Sequence, residues 1–232
     1  MINSEINFQE YANLLKNDGR VQIPNYLEPS LAENLYQCLK HDVNWDLAYR
    51  IESDILIPSD DLVNFQAREL SLIKEQLNQI NPQEYSYMYH TYMMITAYIE
   101  QRNPGLLLDR FLEMLNSPNY VSFLRQLTGQ SNIVKINAQA TKYIKDDFLR
   151  PHNDFNENEG REFAYVINLT KDWESEFGGQ LCFLDSEQKI EEKYLPTFNS
   201  LSLFKVPKMH QVSKVVKTDK PRLAITGWLL NK

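Results

Sequence analysis

The chain has 232 residues, 43% of them hydrophobic and 24% charged, the balance of a globular protein. No run of about 18 apolar residues is present, which excludes a membrane-spanning helix. The net charge of −7 argues against a general nucleic-acid binder. The acidity is concentrated, because residues 1–130 hold 9 basic and 17 acidic side chains while residues 131–232 hold 15 and 14. The N-terminus MINSEINFQEY lacks a basic and then apolar leader, so a cytoplasmic protein is expected. Two distant cysteines, Cys38 and Cys182, read as free buried thiols rather than a disulfide framework or zinc site.

In chain order, the first half reads as mostly helical. Phe8, Tyr11, Leu14 and Leu15 recur at helical spacing, and Asp18-Gly19 stops that helix. Val21 to Ile23 reads as a short strand. Pro29 and Ser30 open a helix carrying Leu31, Leu35 and Leu39. Leu62 to Leu77 reads as another helix, and Tyr85 to Tyr98 as a long strand or hairpin. Gly105 to Leu115 and Tyr120 to Leu127 read as two short helices. From residue 131 onward the pattern changes to strands and turns: Ile133–Tyr143, Phe163–Leu169, Gln180–Leu184 after Gly178-Gly179, Leu201–Val206, Gln211–Val216 and Leu223–Leu230. Short strands at regular spacing after a helical half predict a mainly β fold. The expected architecture is a double-stranded β-helix, a jelly roll buttressed by N-terminal helices. One domain over residues 1–232 is expected, mostly helical to residue 130, with the jelly-roll core over 131–232.

The chain has four histidines: His41, His90, His152 and His210. His152-Asn153-Asp154, read as extended backbone, puts an imidazole and a carboxylate on one side. That is two thirds of a 2-His-1-carboxylate facial triad, which binds Fe(II) and leaves coordination positions open for a 2-oxo acid and dioxygen. The same pair also fits a polar surface turn, since Asn153 to Gly160 is a polar loop. A third ligand must come from a distant strand, and His210 stands just before one. Arg222 opens the last strand, with Ala224, Thr226 and Trp228 on the same face. An inward arginine there can grip the far carboxylate of a 2-oxo diacid bidentately.

These residues carry a resemblance to a known family. Tyr143 to Asp154 (YIKDDFLRPHND), Arg161 to Gly179 (REFAYVINLTKDWESEFGG) and His210 to Trp228 (HQVSKVVKTDKPRLAITGW) together resemble the iron(II)- and 2-oxoglutarate-dependent oxygenases, in their prolyl-hydroxylase-like branch. The likeness is strongest to the catalytic domain of ribosomal-protein prolyl hydroxylases and covers roughly residues 130–230. It implies that His152, Asp154 and His210 hold Fe(II) and that Arg222 pairs with 2-oxoglutarate. It further implies that Tyr143 hydrogen-bonds the cosubstrate and that Trp228 lines the substrate pocket. With a carboxylate at position 154, where related halogenases have a small residue, hydroxylation is the expected outcome. The implied activity is that of a prolyl 4-hydroxylase-like dioxygenase. It would use O2, convert 2-oxoglutarate to succinate and CO2, and respond to ascorbate as a stimulant. Eukaryotic members carry a second, non-catalytic jelly roll, expected to be absent here because the chain ends two residues after Leu230.

The implied partner is a protein substrate, with a free amino acid or small metabolite as the alternative. A non-catalytic cupin-like binding module is the alternative of another class. No nucleic-acid or membrane partner is expected. His41 and His90 read as structural, and the tyrosines at 85, 87, 89 and 92 as sheet packing, some of them lining a substrate groove. Lys205, Lys208, Lys214, Lys217 and Lys220 read as a solvated strand edge, and Glu191 and Glu192 as a charged hairpin.

Overall fold

The computed structural model describes residues 2–216 and 219–232. The chain runs α1 (Phe8–Asp18), β1 (Arg20–Ile23), α2 (Pro29–His41), β2 (Asp46–Arg50), β3 (Asp54–Ile57), α3 (Ser59–Leu62), α4 (Ala67–Gln79), β4 (Tyr87–Tyr92), α5 (Met94–Glu100), α6 (Leu107–Leu115) and α7 (Pro118–Thr128). It continues β5 (Lys135–Ile136), β6 (Gln139–Tyr143), β7 (Phe148–His152), β8 (Arg161–Asn168), β9 (Leu181–Leu184), β10 (Ile190–Tyr194), β11 (Ser200–Lys205), β12 (His210–Val212) and β13 (Arg222–Leu230).

The strands form one 13-stranded antiparallel sheet whose main path is β1-β11-β8-β13-β6-β4-β7-β12-β9-β10, with the β2–β3 hairpin joined to β4 and β5 to β13. The sheet curls until side chains from β4, β6, β7, β8, β9, β11, β12 and β13 line one interior cavity. This is the antiparallel jelly roll expected from the sequence.

The helices cover the outer face. α6 shows why: Leu108, Phe111, Leu112 and Leu115 fall on one stripe and are buried, joining α2 and α7 against the sheet. Each such side chain contributes about 1.5–3 kcal/mol by leaving water. α1 ends where Gly19 takes a left-handed conformation, φ 68°, and its amide bonds the Leu15 carbonyl. A second core lies beneath α4, where Leu47, Ile57, Ile73, Leu77, Met88 and Phe148 meet.

Several element readings need correction. The helix expected from Leu62 begins at Ala67, because Gln66 and Glu69 form a reciprocal capping box that fixes its start. The segment from Tyr85 to Tyr98 is a strand only to Tyr92. Met94 and Ala97 then bury at helical spacing in α5. The β2–β3 hairpin lies within the half read as helical. Ile133–Tyr143 is split into β5 and β6, and Gln211–Val216 keeps strand form only to Val212. Beyond it the backbone bonds elsewhere: the Ser213 amide donates to the Gln180 carbonyl and the Val215 amide to that of Asp147.

Both cysteines are free and buried, and burial pushes the Cys38 thiol up to about 11. Lys208 pairs with Glu191 at 2.7 Å, Lys214 with Asp146 at 3.5 Å, and Lys220 with Asp172 at 3.9 Å, while Lys205 is exposed. Lys217 lies outside the described residues. Glu191 and Glu192 stand on β10 in the hairpin with β9 and pair with Arg20.

Leu115 is fully buried between α6 and the sheet. Leu115→Ala is expected to lower unfolding stability by about 2–5 kcal/mol, measured by denaturant titration.

Candidate metal and cosubstrate site

His152 is the last residue of β7 and His210 the first of β12, and the antiparallel register sets them directly opposite each other. Their ring centroids are 4.1 Å apart. Each Nδ1 meets a backbone carbonyl two residues upstream, His152 to Arg150 at 2.9 Å and His210 to Lys208 at 2.7 Å. A carbonyl only accepts, so each Nδ1 carries a proton and each Nε2 is the ring atom turned to the ligand position.

Both Nε2 atoms face Asp154: His152 Nε2 is 3.4 Å from Oδ1 and His210 Nε2 is 3.3 Å from Oδ2. One donor atom from each of the three residues lies within 4.8 Å of the other two. The reason differs from the one read in the sequence. The strand ends at His152, and Asp154 stands beyond it with φ 61°. A left-handed turn, not strand alternation, swings the carboxylate back, and aspartate tolerates that conformation better than most residues. Asn153 helps by accepting the Phe155 amide at 3.1 Å. Burial opposes charge on Asp154, but hydrogen bonds from His152 and His210 hold its carboxyl well below the usual carboxylate range. Burial, reinforced by His152, lowers the pKa of His210. A carboxylate beside two imidazole Nε2 atoms is the donor set of a divalent cation with open positions.

The cavity beneath the triad measures about 70 Å³. Arg222, Thr226, Gly227 and Trp228 enter it from β13, Gln139, Thr141 and Tyr143 from β6, and Tyr89 from β4. Arg222 is 2% exposed and pairs in register with Tyr143, its guanidinium 4.9 Å from that ring. Among the described residues no acidic side chain forms an ion pair with Arg222, and its Nε has no hydrogen-bond partner. Burial lowers its pKa, yet an arginine stays charged at neutral pH. A buried cation without a counter-ion is costly unless an anion completes it. Two glycines make the close packing possible. A Cβ on Gly227 would lie 1.9 Å from the Asn137 carbonyl oxygen, and one on Gly179, at φ 66°, 3.2 Å from Arg222 Cδ.

Arg161 was not singled out as a site residue, although REFAY was part of the resemblance. It opens β8 and lies 3.6 Å above the Trp228 ring. Its Nη1 donates to the Asp154 carbonyl at 3.3 Å and lies 3.9 Å from Asp154 Oδ1. It braces the strained turn from outside. Among the tyrosines, Tyr89 stacks on Tyr143 at 5.1 Å and lines the cavity, and Tyr85 stands 5.4 Å from the His152 ring at the mouth. Tyr92 instead packs into the helical core. Trp228 lines the cavity, its Nε1 buried without a hydrogen-bond partner among the described residues. His41 is exposed, and His90 pairs with Asp147 away from the cavity. Outside the triad a cleft of about 340 Å³ opens between Tyr85, Pro151, Phe155, Arg161 and Met209.

Residues 138–230 match the family model of the 2OG-Fe(II) oxygenase superfamily. The chain is 31% identical over 124 residues to "Prolyl 3-hydroxylase OGFOD1" of Mus musculus, covering 50% of this chain and 22% of that protein. It is 29% identical over 133 residues to "Prolyl 3-hydroxylase sudestada1" of Drosophila melanogaster, covering 53% and 24%. The chain thus spans about a quarter or less of the length of the curated relatives it matches. Among solved structures, a Pseudomonas putida prolyl-4-hydroxylase superposes with a TM-score of 0.61 at 17% identity, covering 97% of this chain and 99% of that one. A Trichoplax adhaerens prolyl hydroxylase in complex with a hypoxia-inducible-factor peptide gives 0.59 at 18% identity, covering 97% and 89%. These structures share the fold.

Arg161→Ala is expected to weaken divalent-metal affinity about tenfold, measured by cobalt(II) titration, while the protein stays folded.

Proposed function

From the match of residues 138–230 to the 2OG-Fe(II) oxygenase superfamily model, we propose that this chain is a 2-oxoglutarate-dependent dioxygenase that hydroxylates a prolyl residue of a protein. The observation that carries the proposal is the buried, unpartnered Arg222 at the base of the same cavity that the triad closes. A dicarboxylate with one end at the metal and the other at Arg222 satisfies both charges. No small neutral ligand does so.

In this reading His152, Asp154 and His210 hold Fe(II), and the carbonyls of Arg150 and Lys208 fix the ring orientations. Arg222 grips the far carboxylate, and Tyr143, packed against it, offers its hydroxyl to the cosubstrate. Burial raises the Tyr143 pKa well above its ordinary value, so the hydroxyl keeps its proton and remains a donor. When bound, the iron with 2-oxoglutarate and O2 supplies the oxidising chemistry that yields succinate, CO2 and a hydroxylated C–H bond. The apolar wall of Leu181, Phe204 and Val212 keeps water from the reacting centre. Trp228 and Arg161 stand where a substrate side chain would enter.

The mouth favours a protein over an enclosed small molecule. Phe155 is 65% and Tyr85 44% exposed at its rim, and the cleft is open to solvent. Relatives named as prolyl 3-hydroxylases and structural neighbours named as prolyl 4-hydroxylases both point to the proline ring. Ascorbate stimulation belongs to the same proposal.

Anaerobic addition of Fe(II) and then 2-oxoglutarate is expected to raise a visible metal-to-ligand charge-transfer band. His152→Ala abolishes it by losing the metal. Arg222→Ala should keep metal affinity and weaken 2-oxoglutarate binding at least about tenfold, as loss of a buried charged contact predicts. A folded wild-type protein without the band would overturn the oxygenase reading. Mass analysis of a protein fraction after aerobic turnover then distinguishes 3- from 4-hydroxyproline, and turnover of free amino acids would replace the protein substrate.

A further inference from the structure

A buried aspartate with a histidine beside it lies behind the cosubstrate end of the cavity, on the reverse face of the strands that line it. Tyr89 and Tyr143 face the cavity. Their chain neighbours His90 on β4 and Lys142 on β6 therefore face away, and the sheet register sets those two opposite each other. Asp147, in the turn between β6 and β7, has a fully buried carboxylate. Its Oδ2 accepts the Ile144 amide at 2.9 Å and lies 3.3 Å from His90 Nδ1. Its Oδ1 has no partner among the described residues.

The backbone around Asp147 reaches a third element. The Val215 amide donates to the Asp147 carbonyl at 3.0 Å, and the Asp146 amide donates to the Val215 carbonyl at 2.8 Å. Val215 is fully buried and packs with Tyr143 and Trp173. The Asp147 carboxylate thus ties the turn that follows Tyr143 to β4, and the backbone of that turn bonds Val215. Tyr143 is the last residue of β6 and Arg222 the first of β13, so their pairing sits at an end of the ladder, where strands fray first. A solvated cap would serve the turn alone without the cost of a buried carboxylate.

We propose that Asp147, oriented by His90, is a positioning residue for the cosubstrate: its carboxylate holds the turn after Tyr143 in the shape whose backbone bonds Val215, and Val215 packs on Tyr143 and, with Arg222, beside Gly179, so the spacing of Tyr143 and Arg222 is set. The proposal rests on the cosubstrate reading of Arg222.

The test uses the full chain loaded with cobalt(II), with 2-oxoglutarate titrated by calorimetry and amide exchange followed at Asp146 and Val215. Asp147→Ala is expected to weaken 2-oxoglutarate binding about tenfold, leave cobalt affinity unchanged, and speed exchange at both amides. Asp147→Asn keeps an acceptor for the Ile144 amide and a polar group facing His90, so it restores most of the affinity. If Asp147→Ala does not fold, His90→Ala carries the test, with a smaller loss in the same direction. Unchanged 2-oxoglutarate affinity in the folded variant, or a parallel loss of cobalt affinity, overturns the proposal. A wild-type protein that takes up cobalt but not 2-oxoglutarate overturns the function reading, and the positioning role falls with it.

Discussion

The antiparallel pairing of β12 with β7 is the constraint on which the rest depends. It joins the stretch of sheet from β1 to β4 to the stretch from β9 to β10, so without it the sheet would not curl into a cavity. The same pairing places His152 opposite His210, and backbone hydrogen bonds within each strand end aim both rings inward. Fold closure and ligand geometry are therefore one event. Strand pairs position side chains more rigidly than loops do, which suits two of three ligands. The third, Asp154, stands on a strained turn and needs outside support, which Arg161 and Asn153 provide.

The cavity is electrically incomplete at both ends. At the mouth, Asp154 is held anionic by two imidazoles that would rather face a cation. At the base, Arg222 is held cationic in an aromatic and aliphatic shell with no acidic partner among the described residues. Both arrangements cost folding energy that apolar side chains would not. The helical layer offsets that cost by burying its own stripe against the outer face of the sheet. Such unsatisfied charge marks a place where function overrides stability.

Much of this was legible in the sequence because periodicity survives where strands bury one face. Arg222, Ala224, Thr226 and Trp228 were readable as one face of β13, and all of these but Ala224 line one cavity. His152, Asp154 and His210 were readable as a donor set, and the structure brings them together. The path of Asp154 was not legible, since a single left-handed residue leaves no periodic trace. Nor was the role of Tyr89. The tyrosine-rich strand reads as packing with some rings lining a groove, and only the neighbouring strand reveals that the ring inside the cavity is Tyr89, stacked on Tyr143. The β2–β3 hairpin was hidden because Leu47, Ile57 and Phe148 meet only after the chain has folded. Arg161 carries no signal of its own in the sequence, because its contact with Trp228 forms only in the fold.

The strands β4 and β6 show how a thin sheet serves two purposes. Alternation sends Tyr89, Thr141 and Tyr143 into the cavity and His90 and Lys142 to the opposite side, so each residue that meets ligand has a chain neighbour that meets scaffold. Burial raises the pKa of Asp147 against the pull of His90, and the Lys142 ammonium, also desolvated, lies over the Trp45 ring at 5.1 Å. A sheet one residue thick cannot isolate the charges on its two faces. Asp147 is among the groups that raise the pKa of Tyr143 across it. The charge behind the sheet is therefore part of the environment in which the cavity binds an anion, and changes on the reverse face are changes to the site.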